Sequence, residues 1–151
     1  MPESEIISSL YLPISDGKLV LPNVAVAEVI EYSRPKEREG FPHYYLGHIS
    51  WRGIEVPLLS FEEVNGGSRP PKSTEVRIAV LNNIGTDSKK LPFVAILTQG
   101  LPRLVKVSED IIQQATKSDL PAEHSRIRVD GEDAIIPNVD YLETLAINLV
   151  G

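Results

Sequence analysis

Apolar and polar positions alternate along much of this chain with a period of two, so that every other side chain falls on one face of a strand. Glu75 to Leu81 (EVRIAVL) shows the pattern, with Val76, Ile78 and Val80 on one face. The same alternation, or a short apolar run, predicts strands over Ser9 to Ile14, Lys18 to Leu21, Val29 to Tyr32, Gly47 to Trp51 and Ile54 to Leu59. Further strands are predicted over Leu91 to Thr98, Leu101 to Val107, Ile127 to Val129 and Asp133 to Ile136. Asp16-Gly17, Arg52-Gly53, Gln99-Gly100 and Asp130-Gly131 read as hairpin turns between neighbouring strands. Helices are predicted only as short pieces: Ser108 to Ala115, with Ser108 as N-cap, and Pro137 to Leu145. Loops are expected at Ser33 to Gly40, Asn65 to Ser73 and Asn82 to Lys90. The second, with Gly66-Gly67-Ser68-Arg69-Pro70-Pro71, is the most linker-like.

Many short strands at close spacing, without intervening long helices, argue for an all-β fold of barrels or a sandwich rather than alternating β and α units. The 10 Gly and 12 Pro point the same way, since both interrupt long helices. A threefold echo refines the picture. Gly17, Gly53 and Gly131 each precede an apolar strand, then Pro22, Pro57 or Pro137, then Glu28, Glu63 or Glu143 six positions after the Pro. Proline has no N–H for a ladder and a φ suited to the first position of a helix, so it is expected to end each strand and start a helical turn. A unit repeated around the Pro/Gly linker points to two small similar barrels. The expected boundaries are roughly 15–70 and 75–147, with the strand at 9–14 free to join either.

Composition narrows the function classes. At 151 residues, 42% of them hydrophobic and 24% charged, the chain is the size of one domain and has enough apolar side chains for a core. Its net charge of −6 disfavours nucleic acid, which needs clustered Lys and Arg. With no cysteine, thiolate metal sites, disulfides and cysteine nucleophiles are excluded. No apolar run approaches a membrane span and Met1 to Glu5 has no signal-peptide layout, so a soluble, cytoplasmic protein is expected. The sequence lacks a Walker A loop, a G-x-G-x-x-G loop and a G-x-S-x-G elbow. His43, His48 and His124 do not have the spacing of a zinc pair. Glu62-Glu63, Glu109-Asp110 and Glu132-Asp133 are adjacent carboxylates, which on a strand point to opposite faces. A carboxylate-based hydrolase is therefore the weaker alternative, and no metal or cofactor is expected. Trp51 and Arg52 stand out instead, as the residue types most enriched at binding hot spots.

The stretch Gly47 to Phe61 (GHISWRGIEVPLLSF) resembles the CheW-like domain, the adaptor of bacterial chemosensory arrays, with Gly47, Arg52, Gly53, Val56, Pro57, Leu58 and Phe61 in register. Leu19 to Ile30 resembles the family's Val-x-Glu-Ile segment through Val26, Glu28 and Val29. Phe93 to Gln113 and Ile127 to Leu145 are similar to its later strands and helices, so the likeness spans roughly 9–147. Departures are Ser50-Trp51 for Asn-Leu, Ser60 for Asp, Ala95 for Gly and Thr98-Gln99 for Val-Asp. They suggest a divergent member, of the branch serving type IV pilus chemosensory clusters.

The resemblance implies a single CheW-like domain of two packed five-stranded SH3-like barrels, non-catalytic and without cofactor. It implies two partners: the cytoplasmic tip of a methyl-accepting chemoreceptor and the regulatory domain of a CheA-type histidine kinase. The partner-binding residues it implies are Val26, Glu28, Gly47, Trp51, Arg52 and Gly53, with Glu28 facing Arg52 on the first barrel. An apolar patch near Val26 and Gly47, and a second patch on the other barrel, are expected on a chain that is a monomer or weak dimer alone. The alternative within binding proteins is an accessory module that modulates kinase output, or localises a partner, without bridging receptor and kinase.

Overall fold

A computed structural model describes residues 5–83 and 91–150. The chain begins with β1 (Ile6–Ile14), β2 (Gly17–Pro22), a 3₁₀ turn (Asn23–Ala25), β3 (Val26–Glu31), β4 (Tyr45–Trp51), β5 (Ile54–Leu59) and α1 (Phe61–Val64). It continues with β6 (Arg77–Asn82), β7 (Phe93–Thr98), β8 (Arg103–Ser108), α2 (Glu109–Gln113) and β9 (Thr116–Lys117). The last elements are β10 (Glu123–Val129), β11 (Glu132–Pro137) and α3 (Val139–Val150). The predicted loop at Asn82 to Lys90 falls mostly outside the described residues.

The strands form two sheets. One has the order β3-β6-β7-β5-β4 and the other β8-β1-β2-β11-β10-β9. Neighbours are antiparallel except β5 with β7 and β11 with β2, which are parallel. The first five strands of the second sheet therefore repeat the topology of the first: β8 stands where β3 does, β1 and β2 where β6 and β7 do, and the β10–β11 hairpin where β4–β5 does. The two hairpin tips also match. Arg52-Gly53 has φ of 49° and 76°, and Asp130-Gly131 has φ of 49° and 83°, the sign pattern of a type I′ turn.

This arrangement corrects the expected boundaries of 15–70 and 75–147. The first sheet takes residues 26–98, and the second takes both ends of the described strands, 6–22 and 103–137. The Pro/Gly-rich linker is a loop within the first sheet, because β6 and β7 return to pair with β3 and β5. The strand at 9–14 belongs to the second sheet, paired with β2 and β8. The predicted hairpin across Gln99-Gly100 is absent: β7 already has neighbours on both edges, so the chain crosses to β1 of the other sheet. Of the three echoed units, those at Pro57 and Pro137 are true equivalents, each a hairpin strand followed by a helix. Pro57 does not end its strand, which runs on to Leu59. After Pro22 there is one 3₁₀ turn and then β3, which puts Glu28 on a strand rather than a helix.

Three apolar clusters hold the sheets. Ile49, Trp51, Val56, Leu58, Ile78, Val80, Ala95 and Leu97 fill the first sheet's own interior. Edge strands β3 and β4 both reach this cluster, through Ala27 and Ile30 and through Ile49 and Trp51, so the sheet curls into a barrel. Tyr11, Val20, Val107, Ile127, Val129 and Ala134 fill the second interior, with Ile111 and Ile112 of α2 packed on it. The third cluster lies between the sheets and includes Leu12, Leu19, Leu21, Leu59, Phe61, Ala79, Leu81, Val94 and Ile96, together with Leu142 and Ala146 of α3. Successive residues of β6 and β7 thus alternate between a private and a shared core.

Directional bonds from α1 add to the shared core. Glu62 Oε2 accepts from the backbone N–H and the hydroxyl of Ser15, both at 2.9 Å. Asn65 accepts the Ala122 N–H at 2.8 Å and donates to Glu123 Oε2 at 3.2 Å. Glu123 is buried, and burial alone would raise its pKa. Hydrogen bonds from Arg126 and Ser118, and the Arg126 charge, outweigh that and hold it below the ordinary Glu value.

Two outcomes follow from this packing. Leu12→Ala, in the second barrel, should cost about 2–5 kcal/mol. It should lower the denaturation midpoint reported by Trp51 fluorescence in the first barrel, because the cluster is shared. Glu123, with its lowered value, contributes stability above the unfolded-state pKa and loses it as pH falls through the folded one. Arg126→Ala should therefore move the acid-unfolding midpoint, followed by circular dichroism, to higher pH.

Candidate functional site

The first barrel is closed at its two edges by a polar cluster. Glu28 on β3 and Trp51 at the end of β4 belong to the edge strands of the same sheet. Glu28 Oε1 accepts from Trp51 Nε1 at 2.8 Å and from Arg52 Nη2 at 3.3 Å. The Arg52 guanidinium lies 4.7 Å from the centroid of the Trp51 ring, within reach of a cation–π contact. Trp51 itself is only 7% exposed and packs edge-on against Phe93, with centroids 4.8 Å apart. Its ring is core; only the N–H edge serves the cluster. Arg52, at 68% side-chain exposure, is the part that faces solvent.

The backbone at Arg52 carries a cost. Both central residues of this two-residue turn need positive φ, which Gly, Asn and Asp tolerate and Arg does so at about 1–2 kcal/mol. Gly53 satisfies its position, whereas Arg52 sits at φ 49°. A strained residue whose side chain stacks on Trp51, pairs with Glu28 and faces solvent is a candidate for a functional role.

The other expected site residues fall in different places. Val26 begins β3 at a bulge against β6 and rests half-buried on the shared core. Val24, two residues earlier in the 3₁₀ turn, is 84% exposed. Gly47 is not brought to the cluster. It is buried at a bulge near the start of β4, with φ 129°, and a Cβ there would lie 2.5 Å from the Lys36 carbonyl oxygen. The expected patch at Val26 and Gly47 is therefore corrected: Lys36 covers Gly47, and only the Val26 side is open.

A second apolar patch is expected on the second barrel without named residues, and an apolar surface does lie there. Leu21, Leu10 and Leu104 stand opposite one another on β2, β1 and β8, hence on one face. Leu21 is in the shared core, Leu10 is half-buried and Leu104 is exposed. The face that packs against the first barrel thus emerges into solvent at β8, with Ile6 and Leu101 also exposed. The 3₁₀ turn bearing Val24 packs on β1, so this surface approaches Val26 across the seam between the barrels. Leu104 read only as one residue of a strand; its exposure follows from the pairing of β8 with β1.

Three of the paired carboxylates lie in ion pairs, and Glu62 is bonded to Ser15. Glu63 holds Arg69 at 3.1 Å, Glu132 holds Lys18 and Arg103, and Asp133 faces Arg128. His48 Nε2 lies 3.4 Å from Glu55, and His124 Nδ1 lies 3.1 Å from the Ser125 hydroxyl. Among the described residues, no group of three or more His, Asp and Glu has the geometry to hold a metal ion. No helix among them is long and apolar enough to cross a membrane.

The model of the CheW-like domain matches residues 9–146. The chain belongs to the CheW-like domain family. Its fold is similar to that of the scaffolding protein TtCheW from Thermoanaerobacter tengcongensis. The TM-score is 0.74 at 14% identity, over 89% of this chain and 90% of that one. No curated protein matches the sequence. The mostly-β fold expected from the resemblance is the one found. Among the departures from the CheW-like pattern, Ser60 keeps a helix-capping function: its hydroxyl accepts the Glu63 N–H at 3.3 Å and starts α1. Trp51, in the place of the family's Leu, adds the indole N–H that Glu28 accepts.

The steric role of Gly47 has a direct test. Gly47→Ala should destabilise this CheW-like chain by about 1–3 kcal/mol through its backbone conformation alone, with the Lys36 clash in addition. Thermal unfolding measures the loss, and backbone amide shifts should change first at Lys36 and Glu37.

Proposed function

We propose that this CheW-like protein is a non-catalytic chemosensory adaptor, working in the cytoplasm and monomeric or weakly dimeric alone. In this reading one surface receives the cytoplasmic tip of a methyl-accepting chemoreceptor. The second barrel receives the regulatory domain of a CheA-type histidine kinase. The observation that carries the reading is the Glu28–Trp51–Arg52 cluster. A strained, exposed arginine is held on the edge of the first barrel by a carboxylate and a buried ring. The apolar surface of Val24, Ile6 and Leu104 nearby suits a helical partner lying along the seam. The engagement of Glu63, Glu132 and Asp133 in ion pairs supports a scaffold over a carboxylate-based hydrolase.

An exposed Arg–Glu pair adds only about 0–1 kcal/mol to stability. Its role in this reading is to orient the receptor-facing edge. Arg52→Ala should leave the circular dichroism spectrum and melting nearly unchanged, weaken receptor-tip binding by about tenfold, and leave kinase-domain binding as it was. Arg52→Asn should relieve the turn strain and raise the melting temperature while losing the same receptor affinity. Unfolding of Arg52→Ala would make the residue structural, and wild-type values in both titrations would place the site elsewhere. A pull-down in which wild type never joins receptor and kinase in one complex would favour the accessory module.

A further inference from the structure

Among the asparagines of the sequence only Asn65 is followed by glycine. An Asn-Gly step is the one most open to spontaneous deamidation, because glycine has no side chain to shield its backbone nitrogen. That nitrogen gives up its proton and attacks the asparagine Cγ, ammonia leaves, and a five-membered succinimide forms. Water then opens the ring at either carbonyl. One product is aspartate; the other is isoaspartate, in which the main chain runs through the former side chain.

The fold holds this step shut in three ways. Asn65 closes α1 as its C-cap, with φ −81° and ψ 6°. At that ψ the Gly66 nitrogen is rotated away from the Asn65 Cβ, whereas ring closure needs the two eclipsed. The Gly66 N–H is engaged as well, donating to the Glu63 carbonyl at 3.0 Å. The side-chain amide is held across the seam between the barrels: Oδ1 accepts the Ala122 N–H at 2.8 Å and Nδ2 donates to Glu123 Oε2 at 3.2 Å. Asn65 therefore reaches attack geometry only when this part of the seam opens. Gly66 is exposed, so water meets the succinimide once it has formed.

The product cannot remake the clamp. Glu123 is buried and also accepts from Ser118 and Arg126. Deamidation exchanges the Nδ2 donor for a carboxylate oxygen, so that an acceptor faces an acceptor and one negative charge faces another. Arg126 is already committed to Glu123 through Nε and Nη2. Isoaspartate adds a main-chain carbon, which displaces Gly66 from the Glu63 carbonyl.

We infer that Asn65-Gly66 is a deamidation site latched by the seam: sealed while the barrels are packed, released when they part, and irreversible in what it does to the clamp. The reaction marks and weakens chains whose barrels have separated. It holds whether or not the chain is an adaptor.

The test incubates the full chain in mildly alkaline buffer and resolves the peptide carrying residue 65 into Asn, Asp and isoAsp forms by mass spectrometry. Conversion should be fast in urea-unfolded chain and at least about a hundredfold slower in native chain, because the rate follows the population of the open form. Leu12→Ala, which loosens the shared core, should raise the native rate by about tenfold. Glu123→Ala, which frees Nδ2 alone, should raise it too and serves if Leu12→Ala fails to fold. Equal native and unfolded rates would remove the latch, and no conversion in the unfolded chain would remove the site. A native rate unchanged in the folded variants would place the latch outside the seam. Asn65→Asp, which reproduces one product, should lower the melting temperature and shift the amide resonances of Ala122 and Glu123 first. Wild-type melting in that variant would overturn the irreversible loss of the clamp.

Discussion

The rest of the structure depends on strands that are apolar on both faces. In β6, Ile78 and Val80 enter the first barrel's interior while Ala79 and Leu81 enter the cluster between the barrels. In β2, Val20 faces one way and Leu19 and Leu21 the other. A barrel of five or six short strands encloses little apolar area, and a domain of that size is marginal alone. Sharing Leu12, Leu81, Ile96 and Leu142 in one cluster lets each barrel bury its second face on the other. Each barrel thus relies on the other for part of its burial, although each has its own interior.

That dependence is built into the chain path. β1 and β2, from the start of the chain, complete a barrel whose other strands come after residue 102. The first barrel occupies the sequence between them. The crossing from β7 to β8 passes Pro13, whose carbonyl accepts the Gln99 N–H at 2.8 Å. A polar clamp from α1 to Ser15, Ala122 and Glu123 then fixes what apolar contact alone leaves without direction.

The proposed receptor edge uses the same scaffold. The β4–β5 hairpin is rooted by Leu59 and Phe61 in the shared cluster, and Val56 and Leu58 lie in the barrel interior. Only its tip is free of packing, and there Arg52 takes a backbone conformation that the matching tip gives to Asp130. A rigid base and an exposed charged tip are what a docking edge requires. The buried Trp51 links the two by giving its ring to the core and its N–H to Glu28.

Local chemistry made much of this legible in the sequence. Period-two alternation located the strands, and Arg52-Gly53 and Asp130-Gly131 marked two real hairpins, because turn type depends on φ preferences of adjacent residues. The Pro-to-Glu spacing picked out two equivalent hairpin–helix units, and the pairing of Glu28 with Arg52 followed from the family resemblance. What the sequence could not decide was which strand lies beside which. From Ile78 to Leu81 the segment EVRIAVL is apolar on both faces and so has no unique partner face until another sheet covers it. The linker at 65–73 was read as a boundary because its composition is loop-like, but composition does not say whether the next strand returns or departs. Leu104 and Gly47 carry the same lesson. One is exposed and the other covered only because of how β8 and the segment at Lys36 pair, and such long-range contacts are set by the collective burial of both barrels rather than by neighbours in the chain.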